Sequence, residues 1–320
     1  MKKYLVFTIL IGLSLVVNAQ TMDDLNAEYN EGAEALKADD SDKAFEIFTK
    51  CLEMCDKIGA EANEYKDKII QIYPNLSYSS GMDLYKAKDI SGAIDRFIET
   101  IAIAEKYEDE KTKDKSNKVL SQLYNVQGSS MYKTKDYDSA IVCFNLSLKI
   151  NPEYDKALYG KGMTYKNKDD FENMKAAFDK LIEVAGKEDK NAQTAIKLII
   201  KEYMGNGINA INEQNYESAI ENLTNALKYD DTDLNVYYYI AYSNNKLQNF
   251  DATVEICKKG IEKAGGADSE DLSNIYFELG EAAMNIGDNA TACDAYGKVT
   301  TGKNVDKAIH TKTEVLPCGQ

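Results

Sequence analysis

Residues 124–152, YNVQGSSMYKTKDYDSAIVCFNLSLKINP, decide the fold. Two apolar patterns of helical period meet there at the short polar turn Thr134-Lys135-Asp136, which predicts two antiparallel helices. Gly128 lies on the first helix and Ala140, twelve residues later, on the second. Phe144 follows four residues after Ala140, and Pro152 eight residues after Phe144. Neither Gly128 nor Ala140 has a side chain that would hold the backbones apart, so the helices are expected to meet at this pair. Tyr124, Met131, Tyr137 and Phe144 are expected to fill the rest of the seam.

The spacing recurs along the chain. Gly32, Ala44 and Phe48 repeat it, as do Gly81, Ala93 and Phe97. Gly162 is followed by Met174 and Phe178, with Met where the small residue stood before. Gly207, Ala219, Leu223 and Ala226 make a fifth copy, and Ala241, Thr253 and Cys257 a sixth. Gly280, Ala292 and Tyr296 close the series. This Gly…Ala…Phe…Pro pattern resembles the tetratricopeptide repeat, here of an exported bacterial type. The resemblance implies an all-α, right-handed α-solenoid of helical hairpins, about seven repeats over residues 20–303, with a capping helix and tail over 304–320.

Two intervals, Gly128 to Gly162 and Gly207 to Ala241, equal the usual period of 34. The others run from 39 to 49. Their extra residues, such as 105–118 and 187–197, are charged and contain few Gly or Pro, which predicts lengthened helices rather than loops. Pro74 is expected to bend or interrupt one of them. No linker composition is seen, so one continuous solenoid is expected. In the cap, Val305, Ile309, Val315 and Leu316 are expected to turn inward.

The formal net charge is −15, and all but one of the basic residues are Lys, Arg96 being the exception. Such an acidic surface repels nucleic acid and anionic lipid, so neither is expected as a partner. Lys2 and Lys3 precede the apolar run Leu5–Val17, and Val17-Asn18-Ala19 offers small residues for cleavage. Residues 1–19 therefore read as a signal peptide, and thirteen helical residues span only about 20 Å, too short for a bilayer core. The expected mature protein is periplasmic or extracellular, monomeric, and not inserted in the membrane.

No constellation for catalysis is found, so no enzyme is expected. His310 is the only histidine and stands at no recognised distance from a nucleophile. Gly205-Asn206-Gly207 lacks the Lys-Ser/Thr of a phosphate loop. Asp39, Asp40 and Asp42 lack the Gly and distal Glu of a calcium loop and read as a helix cap. No cofactor or metal is expected. Of the six cysteines, Cys51, Cys143, Cys257 and Cys293 fall at packing positions and read as compact buried thiols. Cys51 and Cys55 lack the further ligands of a zinc site. A bond from Cys318 to Cys293 requires the tail to fold back, and the sequence leaves the connectivity open.

In the tetratricopeptide family the concave face of the first helices carries the ligand contacts. Carried onto this chain, that face holds Asn75, Tyr78, Met82 and Tyr85, then Asn125, Ser129 and Tyr132, then Tyr159 and Met163. Met204, Ile208 and Ile211 come next, then Asn235, Tyr238, Tyr242 and Asn245, with Asn274 and Phe277 last. The row is neutral and rich in Tyr, Asn and Met. Tyr offers contact area with one polar tip, and Asn satisfies a peptide donor and acceptor together. The alternative is that the lengthened helices bury these tyrosines as core. The family's carboxylate clamp does not assemble, because Lys133, Lys156 and Lys166 are scattered. The expectation is an exported, non-catalytic scaffold that binds a partner protein or extended peptide in this groove. A carbohydrate-binding envelope module is the alternative, and the absence of Trp counts against it.

Overall fold

The computed structural model describes residues 21–266, 269–316 and 318; the expected signal peptide lies outside them. Among the described residues all regular structure is helical. The chain forms two units, dividing between Tyr154 and Asp155. The first contains α1 (Met22–Lys37), α2 (Ser41–Ile58), α3 (Asn63–Lys86), α4 (Ile90–Lys106), α5 (Glu110–Lys133) and α6 (Tyr137–Ile150). The second contains α7 (Asp155–Asn167), α8 (Phe171–Ala185), α9 (Lys190–Asn212) and α10 (Tyr216–Leu227). It continues through α11 (Leu234–Lys246), α12 (Phe250–Lys263), α13 (Glu270–Asn285), α14 (Asn289–Gly297) and α15 (Val305–His310). Within each unit consecutive helices pack as hairpins, and hairpin stacks on hairpin in chain order. This is the α-solenoid mode of burial, in which each apolar face is covered by its neighbours.

Where the seam residue is glycine, the side chain sixteen residues later lies over it. A Cβ on Gly128 would lie 2.9 Å from the Phe144 ring and 3.2 Å from the Cys143 Cβ. The same holds at Gly280, where the Tyr296 ring would come within 2.8 Å. Helical side chains lean toward their own N-terminus, so a residue nine positions after the turn centre reaches back to the level of one seven before it. The ring therefore occupies the space that the glycine leaves. Phe48, Phe97, Phe144, Phe178 and Tyr296 are all almost fully buried.

The turns inside the hairpins share one chemistry. Asp39, Lys88, Lys135, Asp169, Gln214, Gln248 and Gly287 all have positive φ. Each stands seven residues after the seam position of its repeat and just before an Asp or Asn. In six of the seven that next residue caps the second helix, as Asp136 does by accepting from the Ser139 N–H at 3.2 Å. The positive φ ends one helix, and the short acceptor satisfies an N–H that the next would leave orphaned. Asp40 plays this role in the acidic turn. Asp42 instead accepts from Ser80 Oγ at 2.6 Å and pairs with Arg96 at 3.3 Å, while the Arg96 guanidinium lies 4.2 Å over Phe45.

The long repeats have long first helices. α3 and α5 have 24 residues each and α9 has 23, against 13 for α7 and α11. Pro74 is buried inside α3 without interrupting it. After α14 the chain turns back through α15 and a π-helical turn at Thr311–Val315. Ala308, Thr311 and Leu316 are the buried residues of this cap, with Val305 half-buried. Ile309 and Val315 are not turned inward: they are 55% and 59% exposed. The packed stripe runs through 305, 308 and 311, so position 309 falls off that face. Cys318 does fold back and forms a disulfide with Cys293 on α14. Cys51, Cys55, Cys143 and Cys257 are buried free thiols.

Candidate functional site

The sequence-derived groove residues fall in both units, and each group is described within its own. In the first unit Asn75 is exposed, while Tyr78, Met82 and Tyr85 on α3 are half-buried. They pack on a core of Ala93, Ile94, Phe97, Leu120 and Leu123, with the Tyr78 ring edge-on to Phe97 at 5.5 Å. Tyr132 is half-buried beside Tyr137. Asn125 is buried, and among the described residues no donor reaches its side-chain oxygen. Its backbone oxygen accepts from Ser129. Tyr78, Met82, Tyr85 and Tyr132 thus share their area between core and surface.

In the second unit Tyr159 and Met163 on α7 are half-buried, with Tyr159 beside Phe178. Met204, Ile208 and Ile211 on α9 are half-buried as well. The last group is the one brought together. Tyr238, Tyr242 and Asn245 on α11 line a cavity of about 530 Å³ with Phe277 and Glu278 on α13 and Lys307 on α15. α11 and α13 are successive first helices and pack directly on each other. Asn235 Nδ2 donates to Asp271 at 3.2 Å at one end of their seam. At the other end Asn245 Nδ2 donates to Glu278 Oε2 at 2.7 Å and to the Glu278 backbone oxygen at 3.0 Å. The bond to the backbone fixes the amide orientation, and it leaves the buried Asn245 Oδ1 without a donor among the described residues. Asn274, also on α13, accepts from Asn304 ahead of α15 at 3.1 Å.

The cavity is not neutral, as the sequence row had implied. Glu278 is only 6% exposed, and burial pushes its carboxyl up to about 7; the bond from Asn245 opposes that shift and the nearby Glu281 adds to it. Burial also pushes the Tyr238 hydroxyl up to about 12. Glu281 is compensated differently: it accepts from the Tyr296 hydroxyl at 2.7 Å and pairs with Lys307 at 3.2 Å. Lys307 lies 4.8 Å over the Phe277 ring and Lys246 lies 5.1 Å over Tyr242. The cavity thus has a buried carboxylate, aromatic walls and exposed lysines at its rim. Phe277, expected on the groove surface, is buried against Tyr296. Among the described residues, no group of three or more His, Cys, Asp and Glu is placed to hold a metal ion.

The tetratricopeptide repeat family matches residues 121–154 and 155–188, two adjacent segments of 34 residues that contain the Gly128/Phe144 and Gly162/Phe178 seams. Residues 121–188 thus carry two tetratricopeptide repeats. No curated protein matches it. Among solved structures, the chain is similar to the TPR2AB-domain:pHSP90 complex of yeast Sti1, at 18% identity, with 91% of this chain and 95% of that one covered and a TM-score of 0.33. A tetratricopeptide repeat protein from Parabacteroides merdae matches at 14% identity over 90% of this chain and 97% of its own, with a TM-score of 0.30. YrrB, described as having an unusual peptide-binding site, matches at 17% identity over 59% and 90%, with a TM-score of 0.30.

Sequence reasoning missed Glu278, Glu281, Asn304 and Lys307. One signal was present: Glu278 is the only charged residue among Ile275–Gly280 of its hairpin, IYFELG, where the seam pattern demands burial. A charge set in that run has to find a partner or a cavity.

Proposed function

We propose that this protein is a non-catalytic scaffold that works outside the cytoplasm and holds a partner protein or extended peptide. The observation that carries the reading is the α11–α13–α15 cavity. Three residues chosen from sequence for partner contact, Tyr238, Tyr242 and Asn245, line it together. Aromatic side chains around a recess with a few fixed polar groups are the usual composition of a partner-binding pocket. The apolar leader pattern at 5–17 and the Cys293–Cys318 bond accord with an oxidising, exported location. The test is capture from envelope extract by the wild-type chain and by a Tyr242→Ala, Asn245→Ala double variant of unchanged melting temperature. A specific protein retained by the first and lost by the second supports the proposal; equal retention removes the cavity from it.

A carbohydrate ligand is the second reading, favoured by tyrosines set beside amide and carboxylate groups in one recess. Glycan-array binding without any captured protein would put it first.

A further inference from the structure

We infer that the α11–α13–α15 cavity takes a lysine ammonium of the partner, seated on Glu278 between the rings of Tyr242 and Phe277. The inference rests on the partner-binding reading above and names the chemistry of the anchoring residue.

Three independent observations meet at this site. The cavity has a volume of about 530 Å³, ample for a lysine side chain. Glu278 faces it with 94% of its surface buried, and among the described residues the side-chain donor that reaches its carboxylate is Asn245. A buried carboxylate with one neutral donor is under-compensated, because a charge out of water needs a counter-charge or several hydrogen bonds. Asn245 adds a second unmet acceptor, its buried side-chain oxygen. Acceptors therefore outnumber donors at the floor. An ammonium brings three donors and the missing positive charge.

The walls suit the same group. Tyr242 and Phe277 already hold cations on their faces, Lys246 and Lys307 from the protein's own rim. Aromatic faces attract ammonium groups through the ring quadrupole, more strongly where water is excluded. The rim lysines are exposed, and Lys307 is already paired with Glu281, so their repulsion of an incoming cation is screened. They also set the flanks: a partner lysine bordered by carboxylates meets Lys246, Lys303 and Lys307 at the rim and Glu278 at the floor. The charged and titratable groups facing Glu278 are Glu281 on its own helix, Lys246 and Tyr238 on α11, Cys257 on α12, Tyr296 on α14 and Lys307 on α15.

The experiment titrates the full chain with acetyl-Glu-Lys-Glu-amide, followed by saturation-transfer NMR. The expected result is saturation of the lysine side-chain protons, with binding at least tenfold weaker for Glu278→Gln. Binding should also weaken from pH 8 to pH 6 as Glu278 takes up a proton. The same peptide with an Nε-acetylated lysine needs no variant and should bind at least tenfold less well to the wild-type protein. Equal binding of the acetylated peptide, or no effect of Glu278→Gln, overturns the inference. Partner capture that survives Glu278→Gln also overturns it and leaves the scaffold reading standing. Glu278-dependent peptide binding without any captured partner supports the ammonium site and removes the scaffold reading.

Discussion

The Phe144 ring fills the space above Gly128, where a Cβ would lie only 2.9 Å from it. Gly128→Leu therefore drives a side chain into a fully buried ring rather than into a gap between backbones. Overpacking of this kind costs about 1–3 kcal/mol, whereas the exposed Lys133→Ala on the same helix should stay within about 0.5 kcal/mol of wild type. Urea denaturation of the two variants checks the contrast, and equal midpoints would mean that the helices can separate there at no cost.

Lys135 and Asp136 divide the work of one turn. Removing the cap with Asp136→Ala should cost about 1 kcal/mol. Lys135→Val should also destabilise, because a β-branched residue resists the φ of +64° found there, while Lys135→Gly should be neutral to mildly stabilising. Thermal melts of the three variants give the order; a Val variant as stable as the Gly one would show that the turn relaxes.

Glu278 sets a pH dependence of unusual sign for an acid. Its carboxyl rises from 4.5 to about 7, chiefly through burial, so the folded chain keeps a proton that the unfolded chain has already released. The stability this group contributes is full below the unfolded value and is lost as pH rises through about 7. Glu278→Gln fixes the neutral state. At pH 8 it should exceed wild type by up to about 3 kcal/mol, and near pH 4 the two should converge. Parallel stability curves for the two proteins between pH 5 and pH 8 would place the carboxylate in water.

The Cys293–Cys318 bond closes a separation of 25 residues that contains α15 and the Lys303 and Lys307 wall of the cavity. Loops of this size are worth up to about 3 kcal/mol. Cys318→Ser, or reduction of the wild-type protein, should speed tryptic release at Lys303, Lys307 and Lys312 several-fold. Cleavage at sites in the first unit should not change. Unchanged release would mean that Ala308 and Leu316 hold the tail without help.

The sequence makes the hairpins plain because they are specified by small residues at fixed intervals, and Gly128, Ala140 and Phe144 stand out against any background. Which atoms touch is less legible, since the lean of a helical side chain sets the Phe144 ring over Gly128. The turn rule also escaped notice: Lys135 and Gln214 look like any solvated residue until their φ is known. The cavity was legible in part. Tyr238, Tyr242 and Asn245 lie on one helix and follow from its period, and Phe277 on α13 was also in the expected row and lines the cavity. Glu278 and Lys307 come from other helices, and their convergence depends on how hairpins stack and how the tail returns.

The four unpaired cysteines have a use that follows from their burial. Cys51, Cys55, Cys143 and Cys257 lie on three different second helices, and burial raises the thiol of each above its ordinary value. A protonated, enclosed thiol does not react with alkylating agents until its surroundings open. The rate at which each residue is alkylated is therefore a clock for the breathing of its own hairpin. Mass spectrometry can read all four clocks in one untagged sample, and so rank the repeats by how often each comes apart.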